Sequence, residues 1–223
     1  MKKNLFAEAI LKFLLGVILV GALIFLPAGT LRFGAGWRFM GILFVPMFGA
    51  GLVMLSKNPQ LLQSRLKAKE SQRQQDLVVK LSGLMFIAGF VVAGLDFRFG
   101  WLPLPAWVSW AAAVIFLIAY LLYGEVLREN TYLSRTIEVR ENQTVVDTGL
   151  YGMVRHPMYA VTLLLFLSMP FVLGSFLSFL CFLPYPFLIA KRLLEEEKFL
   201  EQELPSYKEY KEKVKYRLIP GIW

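Results

Sequence analysis

The stretch Met158 to Ala190, MYAVTLLLFLSMPFVLGSFLSFLCFLPYPFLIA, holds 33 consecutive residues without a charged side chain. A single straight helix of that length would be about 50 Å long, whereas the hydrocarbon core of a bilayer is about 30 Å thick. Pro170 and Gly174 fall near the middle, where proline disrupts a helix and glycine permits a turn. We therefore expect a helical hairpin whose two ends return to the same side of the membrane.

The composition of the whole chain is also typical of a membrane protein. It has 223 residues, 57% of them hydrophobic and 18% charged, whereas soluble domains are about 45–50% apolar and about 25% charged. Long apolar runs predict four transmembrane helices ahead of the hairpin, over Ala9–Leu26, Trp37–Leu55, Leu77–Leu95 and Ala106–Tyr123. Between the second and third runs, the cationic segment Ser56–Asp76 predicts an amphipathic helix on the membrane surface.

The predicted fold is therefore all-α: about four transmembrane helices, the hairpin, and an amphipathic tail helix. The tail helix is indicated by apolar residues at three- and four-residue steps between Leu200 and Val214, with a break at Pro205. We expect one membrane domain, in which residues 1–123 form the transmembrane bundle. Residues 124–223 add a long polar loop, the hairpin and the tail.

The positions of the lysines and arginines predict the orientation. With this topology, 21 of the 24 cationic residues lie on the side of the N-terminus, the long loop and the tail. The other side has three, Arg32, Arg38 and Arg98. The positive-inside rule then places the N-terminus, the loop and the tail in the cytoplasm. The same distribution argues against nucleic acid as a partner, because these cations flank membrane helices and face anionic lipid head groups.

The two ends of the hairpin carry the most distinctive polar residues. Gly149–Tyr159, GLYGMVRHPMY, includes the only histidine of the chain, and Arg192 at the other end is followed by Glu195–Glu197. Because a hairpin brings its ends together, we expect these two groups to lie close in space. They would form a polar, aromatic site at the cytoplasmic membrane boundary.

Two signatures in this region resemble those of a known enzyme family. Gln143–Tyr151 followed by Val154–Tyr159 resembles the cofactor-binding signature of the isoprenylcysteine carboxyl methyltransferase family, which is related to the phospholipid methyltransferases. The second signature, an arginine, a glutamate four residues later and spaced tyrosines, is matched by Arg192, Glu196, Tyr207 and Tyr210. The resemblance covers the last hundred residues and implies an integral membrane methyltransferase that uses S-adenosylmethionine (SAM).

The resemblance also implies roles for individual residues. The positions that would form the cofactor pocket are Gln143, Thr144, Val145, Val146, Tyr151, His156, Pro157, Met158, Tyr159 and Glu196. Arg192 would bind the substrate, and Arg192 and Glu196 are the predicted catalytic residues. A further glutamine of the family has no equivalent here; the nearest residues are Thr136 and Ile137. Residues 124–223 are therefore the predicted cofactor-binding region. The predicted location of the protein is the bacterial plasma membrane.

The acceptor would be a lipophilic or lipidated small molecule. Carboxyl O-methylation of an isoprenylcysteine-like or other lipophilic carboxylate is the preferred reaction, since Arg192 could hold a carboxylate through two hydrogen bonds. N-methylation of a phospholipid is the alternative, and Glu196 or Glu197 would then take up a proton. A non-catalytic or transport protein and an NADPH-dependent reductase are further hypotheses. Transport is disfavoured because the spans carry few polar residues.

Simpler roles are also compatible with the same residues. His156 could cap a helix, and Arg192 and Glu196 have the spacing of an ordinary i,i+4 pair. Glu195 and Glu197 are expected on a solvated face, Tyr207 and Tyr210 as packing residues, and the Asp96/Arg98 pair in a turn. No metal site is predicted, because one histidine and the single cysteine, Cys181, give no ligand cluster.

Overall fold

The computed structural model describes residues 2–66, 73–130, 132–133 and 144–223. The helices of these residues are α1 (Lys2–Ala28), α2 (Gly34–Lys57), α3 (Pro59–Leu66), α4 (Arg73–Phe99), α5 (Ala106–Glu129), α6 (Pro157–Val172), α7 (Phe176–Phe182), α8 (Tyr185–Glu203) and α9 (Tyr207–Lys213). A short 3-10 turn, Gly149–Gly152, precedes α6.

Five helical segments in the described ranges are long and apolar enough to cross a membrane. They are Leu5–Ala28, Gly34–Lys57, Leu77–Phe99, Ala106–Glu129 and Phe176–Glu203; α6 is a shorter apolar helix. Large apolar side chains such as Ile18, Val45 and Leu121 are exposed on the outer surface, as a lipid-facing surface requires. The predicted all-helical membrane fold is confirmed, with helices that begin earlier or end later than expected.

Both ends of the predicted surface segment belong to the neighbouring long helices. Of Ser56–Asp76, α2 takes the first two residues, α3 occupies Pro59–Leu66 and α4 begins at Arg73, while residues 67–72 lie outside the described ranges. Between α2 and α3, the side-chain oxygen of Asn58 accepts a hydrogen bond from the amide of Leu61 at 3.0 Å, which satisfies one of the free donors at the start of α3. Leu61 and Leu62 are buried, so the apolar face of α3 packs on the protein.

The predicted hairpin is present, with α6 and α8 antiparallel. Aromatic rings pair along its length, with Phe171 and Phe179 at 4.7 Å near the tip and Phe166 and Tyr185 at 5.0 Å further down. Gly174 makes the turn at a φ of +76°, a conformation that glycine adopts without a steric cost. Pro170 lies inside α6, which continues to Val172, so it does not mark the turn.

A buried carboxylate fastens the hairpin tip to the rest of the bundle. Asp96, which is 1% exposed near the end of α4, accepts hydrogen bonds from the amide of Leu102 at 2.7 Å and from the hydroxyl of Ser175 at 2.5 Å. The first contact closes the turn between α4 and α5, and the second holds the tip. These contacts agree with the turn-forming role expected for Asp96.

At the opposite end of the bundle, α5 continues to Glu129 and shortens the predicted loop. The alternating segment Thr136–Arg140 lies outside the described ranges. The carboxylate of Glu129 accepts a hydrogen bond from the amide of Leu150 at 3.0 Å. Gly149, the residue before Leu150, has a φ of +52°. Any other residue at this position would place its Cβ 1.4 Å from Oε1 of Glu129. Glycine is therefore required where the chain returns toward α6.

Candidate functional site

The feet of the hairpin, the residues after α5 and the tail enclose an open cavity. The space within it is about 830 Å³ when the open solvent at its mouth is counted. The lining residues are Asn130, Tyr132, Leu133, Thr144, Val145, Val146, Tyr151, Arg155, His156, Met158, Tyr159, Arg192, Glu196, Leu200, Leu204, Tyr207 and Tyr210. It lies at the end of the bundle away from Asp96 and Ser175.

Most residues of the predicted site meet at this cavity. Its lining includes Thr144–Val146, Tyr151, His156, Met158, Tyr159, Arg192 and Glu196. Pro157 does not line it. As the first residue of α6, Pro157 faces a separate apolar depression together with Leu218 and Pro220. Gln143 lies outside the described ranges.

The centre of the cavity wall is a hydrogen-bonded group that joins the two hairpin feet. The hydroxyl of Tyr159 donates to the carboxylate of Glu196 and accepts from Nε of Arg192 at 3.1 Å. Arg192 and Glu196 lie one turn apart on α8, so both side chains reach the same side of the helix. The group offers a carboxylate that can accept from an ammonium or a hydroxyl, and a guanidinium that can bind a carboxylate or a phosphate.

Tyrosines from the loop and the tail form a second wall. The hydroxyl of Tyr210 donates to the carbonyl of Tyr151 at 2.7 Å, and the rings of Tyr207 and Tyr210 are 5.7 Å apart. Burial raises the pKa of the hydroxyls of Tyr151, Tyr207 and Tyr210 above its usual value, so they remain neutral donors at physiological pH. Tyrosine faces also attract cations by about 0.5–2 kcal/mol.

The hydroxyl of Tyr151 is a buried polar atom of this wall, and no described atom meets hydrogen-bond geometry with it. The side chain of Asn130, which also lines the cavity, interacts with the hydroxyl and partly offsets the rise in its pKa that burial causes. A polar atom of a molecule in the cavity would be a further partner, which fits the predicted pocket role of Tyr151.

Glu197 is not on a solvated face, contrary to the expectation for the acidic run. It is 3% exposed, and its Oε1 accepts from Nε of Arg155 at 2.7 Å while Oε2 accepts from Nε of Arg217 at 2.9 Å. Nε2 of His156 lies 3.4 Å from Oε1. Neighbouring residues of a helix point about 100° apart, so Glu196 faces the cavity while Glu197 faces these cations.

The tail is attached to the chain that leads into α6. The amides of Arg155 and His156 donate to the carbonyls of Tyr216 and Arg217, both at 2.9 Å, and Nη1 of Arg155 donates to the carbonyls of residues 214 and 215 at 2.8 and 2.9 Å. These main-chain contacts follow no periodic pattern of residues, so they could not be predicted from the sequence. They bring Tyr207 and Tyr210, which were expected only to pack, into the cavity wall.

An ion pair on the surface adds to this attachment. Nζ of Lys213, the last residue of α9, lies 2.5 Å from Oδ2 of Asp147 in the loop. The hydrogen bond from Lys213 lowers the pKa of the Asp147 carboxyl.

Across the described ranges, no group of three or more histidine, cysteine, aspartate or glutamate side chains is arranged to hold a metal ion.

Comparison with known families places part of the chain in a family of enzymes. The phospholipid methyltransferase family matches residues 107–206, which is less than half of the 223-residue chain. The matched part extends from the start of α5 to just before α9, and all described lining residues except Tyr207 and Tyr210 fall within it. The match indicates a membrane methyltransferase and, with it, the use of SAM. No curated protein matches the chain.

Proposed function

We propose that this protein transfers the methyl group of SAM to a lipophilic acceptor in a cavity at the feet of its membrane hairpin. The observation that carries the proposal is the Tyr159–Glu196–Arg192 group. It places an acceptor for a cationic or hydroxyl-rich ligand beside a binding group for an anion, both next to lipid-facing helices. The family match over residues 107–206 supports a methyltransferase.

The residues present fit SAM as a ligand. Glu196 and the hydroxyl of Tyr151 would take its ammonium or ribose groups, and the tyrosines of the tail would border its adenine or sulfonium. Thr144–Val146, His156 and Met158 would complete the pocket, and Gln143 and Pro157 remain predicted members. When bound, SAM supplies a sulfonium methyl group: the lone pair of the acceptor forms the new bond to carbon, and the electron pair of the broken C–S bond stays on sulfur.

A lipophilic carboxylate, such as that of an isoprenylcysteine, is the acceptor that this site suits best. A carboxylate is already ionised at neutral pH and requires no general base. The guanidinium of Arg192 would bind and orient it. Tyr159, which shares a hydrogen bond with Arg192 at 3.1 Å, would limit the positions that the guanidinium can take. On this proposal, the rate enhancement comes mainly from positioning the acceptor for attack on the methyl group.

A phospholipid amine is the second candidate, and the family match is compatible with either acceptor. An amine becomes nucleophilic only after it loses a proton, so this reaction needs a proton acceptor. Glu196 is the carboxylate of the cavity wall that would serve. The phosphate of the same lipid would then occupy the guanidinium of Arg192.

The proposed location of the site is the cytoplasmic face of a bacterial plasma membrane. The hairpin feet lie at the end of the bundle away from Arg38, which contacts the carbonyl of Val172 near the hairpin tip at 3.2 Å. The charge distribution along the sequence supports a cytoplasmic position for those feet.

Calorimetric titration of the purified protein with S-adenosylhomocysteine (SAH) tests cofactor binding. We expect micromolar affinity and no response to NADPH; a folded protein that binds NADPH but not SAH would reject the proposal in favour of a reductase. Methyl transfer from labelled SAM into a lipid extract then identifies the acceptor class. Mild alkali releases labelled methanol from a methyl ester but not from an N-methylated amine, so the label that remains decides between the two candidates.

A further inference from the structure

Glu197 is a buried carboxylate that the proposed reaction does not use. Its two oxygens bind two arginines from different parts of the chain: Arg155 ahead of α6, and Arg217 in the tail. The side chains of Arg155 and Glu197 are 5% and 4% exposed, whereas that of Arg217 is 28% exposed. Removing water from a carboxylate is costly unless cations and hydrogen bonds replace it. We therefore expect this buried carboxylate and its two arginines to have a specific structural role.

The geometry makes Glu197 the junction of three segments. Arg155 binds Glu197 through Nε and the tail carbonyls through Nη1, so a single guanidinium connects α8 to the tail. Arg217 makes the same connection from the tail side. If Glu197 loses its charge, two guanidinium groups face each other across the junction without a counter-charge.

The tail residues that this junction holds in place form part of the cavity wall. Leu204, Tyr207 and Tyr210 line the cavity and pack in a small apolar cluster with Val214, apart from the main core. The hydroxyl of Tyr207 also lies 3.3 Å from Nε2 of His156. Other contacts also hold the tail: Leu218 packs in the main core, the amides of residues 155 and 156 bond to tail carbonyls, and Lys213 pairs with Asp147. The junction at Glu197 adds to them two ion pairs that share one buried carboxylate.

We propose that Glu197 is a positioning residue: it holds the tail against residues 155–156 and so completes the tyrosine wall of the cavity. The adjacent glutamates then have separate roles, with Glu196 in contact with the ligand and Glu197 behind the wall. The ligand part of this inference rests on the proposed function; the attachment of the tail does not.

The test is Glu197→Gln, which keeps the size of the side chain and removes its charge. We expect the Kd for SAH and the KM for SAM to rise at least tenfold while kcat at saturating SAM stays within about twofold. Hydrogen exchange at the amides of Arg155 and His156 should quicken at least tenfold, because their acceptors belong to the tail. Glu197→Asp keeps the charge and should recover part of both effects. Glu201→Gln, which breaks the ion pair between Glu201 on α8 and Lys211 on α9, is the control and should change neither.

Arg217→Met provides a second arm if Glu197→Gln fails to fold. It removes the partner of Glu197 that the tail supplies and leaves the ion pair between Arg155 and Glu197. We therefore expect the same changes to a smaller extent. Wild-type exchange rates and a wild-type Kd in Arg217→Met and in any folded Glu197 variant would overturn the proposal. If the wild-type protein binds no SAH, the proposed function fails. In that case, faster exchange at residues 155–156 still supports the positioning role, and unchanged exchange rejects it.

Discussion

Tyr159 and Glu196 are 37 residues apart in the sequence, yet the tyrosine hydroxyl donates a hydrogen bond to the glutamate carboxylate. The contact joins the first turn of α6 to α8, and it forms because the hairpin returns both ends to one place. Arg192 donates to the same hydroxyl. A ligand that contacts Glu196 therefore lies within reach of Arg192, and substitutions at these two positions should separate cofactor binding from turnover.

Glu196→Ala is expected to weaken or abolish SAM binding. Hydrogen bonds to charged groups contribute about 1.5–3 kcal/mol each, so the Kd for SAH should rise roughly 10- to 100-fold or more. Calorimetric titration measures this change. Glu203→Ala removes an exposed carboxylate at the end of the same helix and serves as the matched control. Equal affinities for SAH in the two variants would remove Glu196 from the proposed pocket.

Arg192→Ala is expected to keep the affinity for SAH but to lower kcat at least 100-fold, since the guanidinium is proposed to orient the acceptor. Arg192→Lys keeps the charge without the planar fork that binds a carboxylate through two hydrogen bonds. It should therefore recover only a small part of the rate. SAH titration and a labelled methyl-transfer assay measure the two effects separately. A loss of SAH affinity equal to the loss of rate would instead assign Arg192 to cofactor binding.

Gly149→Ala is expected to destabilise the protein. A non-glycine residue at this positive φ costs about 1–3 kcal/mol, and the new Cβ would also collide with the carboxylate of Glu129. The melting temperature in detergent should fall. Gly124→Ala in α5, where a Cβ has no neighbour within 4 Å among the described residues, should leave it unchanged or raise it slightly. Similar melting temperatures for the two variants would contradict the close approach of Gly149 and Glu129.

Asp96→Ala is expected to loosen the hairpin tip without direct effect on the cavity. The amide of Leu102 would lose its partner, and an unsatisfied buried donor costs about 1–3 kcal/mol. Asp96→Asn keeps an acceptor oxygen and should be milder. Thermal unfolding in detergent gives the stability, and SAH titration at low temperature should give a Kd within twofold of the wild-type value. A large rise in that Kd would show that the two ends of the bundle are coupled.

The stability of the protein should decline in alkaline solution. Burial raises the pKa of Tyr151, Tyr207 and Tyr210 in the folded state, whereas tyrosine in an unfolded chain loses its proton near pH 10. Above about pH 10 the unfolded state therefore binds fewer protons than the folded state, and the free energy of unfolding falls as the pH rises. Melting temperatures between pH 8 and 11.5 measure the decline. Tyr207→Phe should make it shallower, and an identical slope would contradict the prediction.

The hairpin and the meeting of its feet were predictable because they follow from length and polarity. Thirty-three uncharged residues exceed one membrane span, and Gly174 marks the turn. The position of the helix boundary between α7 and α8 was not predictable in the same way. Pro170 is accommodated inside α6, while the chain breaks between α7 and α8 at Leu183 and Pro184. Pro170 and Pro184 have the same effect on helix hydrogen bonding, so the residue type alone does not tell which of them lies at a helix boundary.

The buried environment of Glu197 could not be read from the sequence, although the family resemblance assigns Glu196 to the predicted pocket. Both belong to a run of three glutamates with identical chemistry, and their environments depend on partners in other segments. Tyr159 fixes the direction of Glu196 from α6. Arg217 binds Glu197 from an irregular segment that has no hydrophobic period to predict its path. A solvated face was the reasonable expectation for Glu197, and it was wrong because the tail covers that side of α8.

Every lining residue of the cavity in the described ranges stands at position 130 or later, whereas α1 to α4 mainly build the bundle and its lipid-facing surface. The two halves of the chain therefore face different evolutionary constraints. Substitutions in the second half must preserve a pocket, while those in the first half need only keep a fit to the bilayer and to the neighbouring helices. Among descendants of a common ancestor, we expect the first hundred residues to diverge faster.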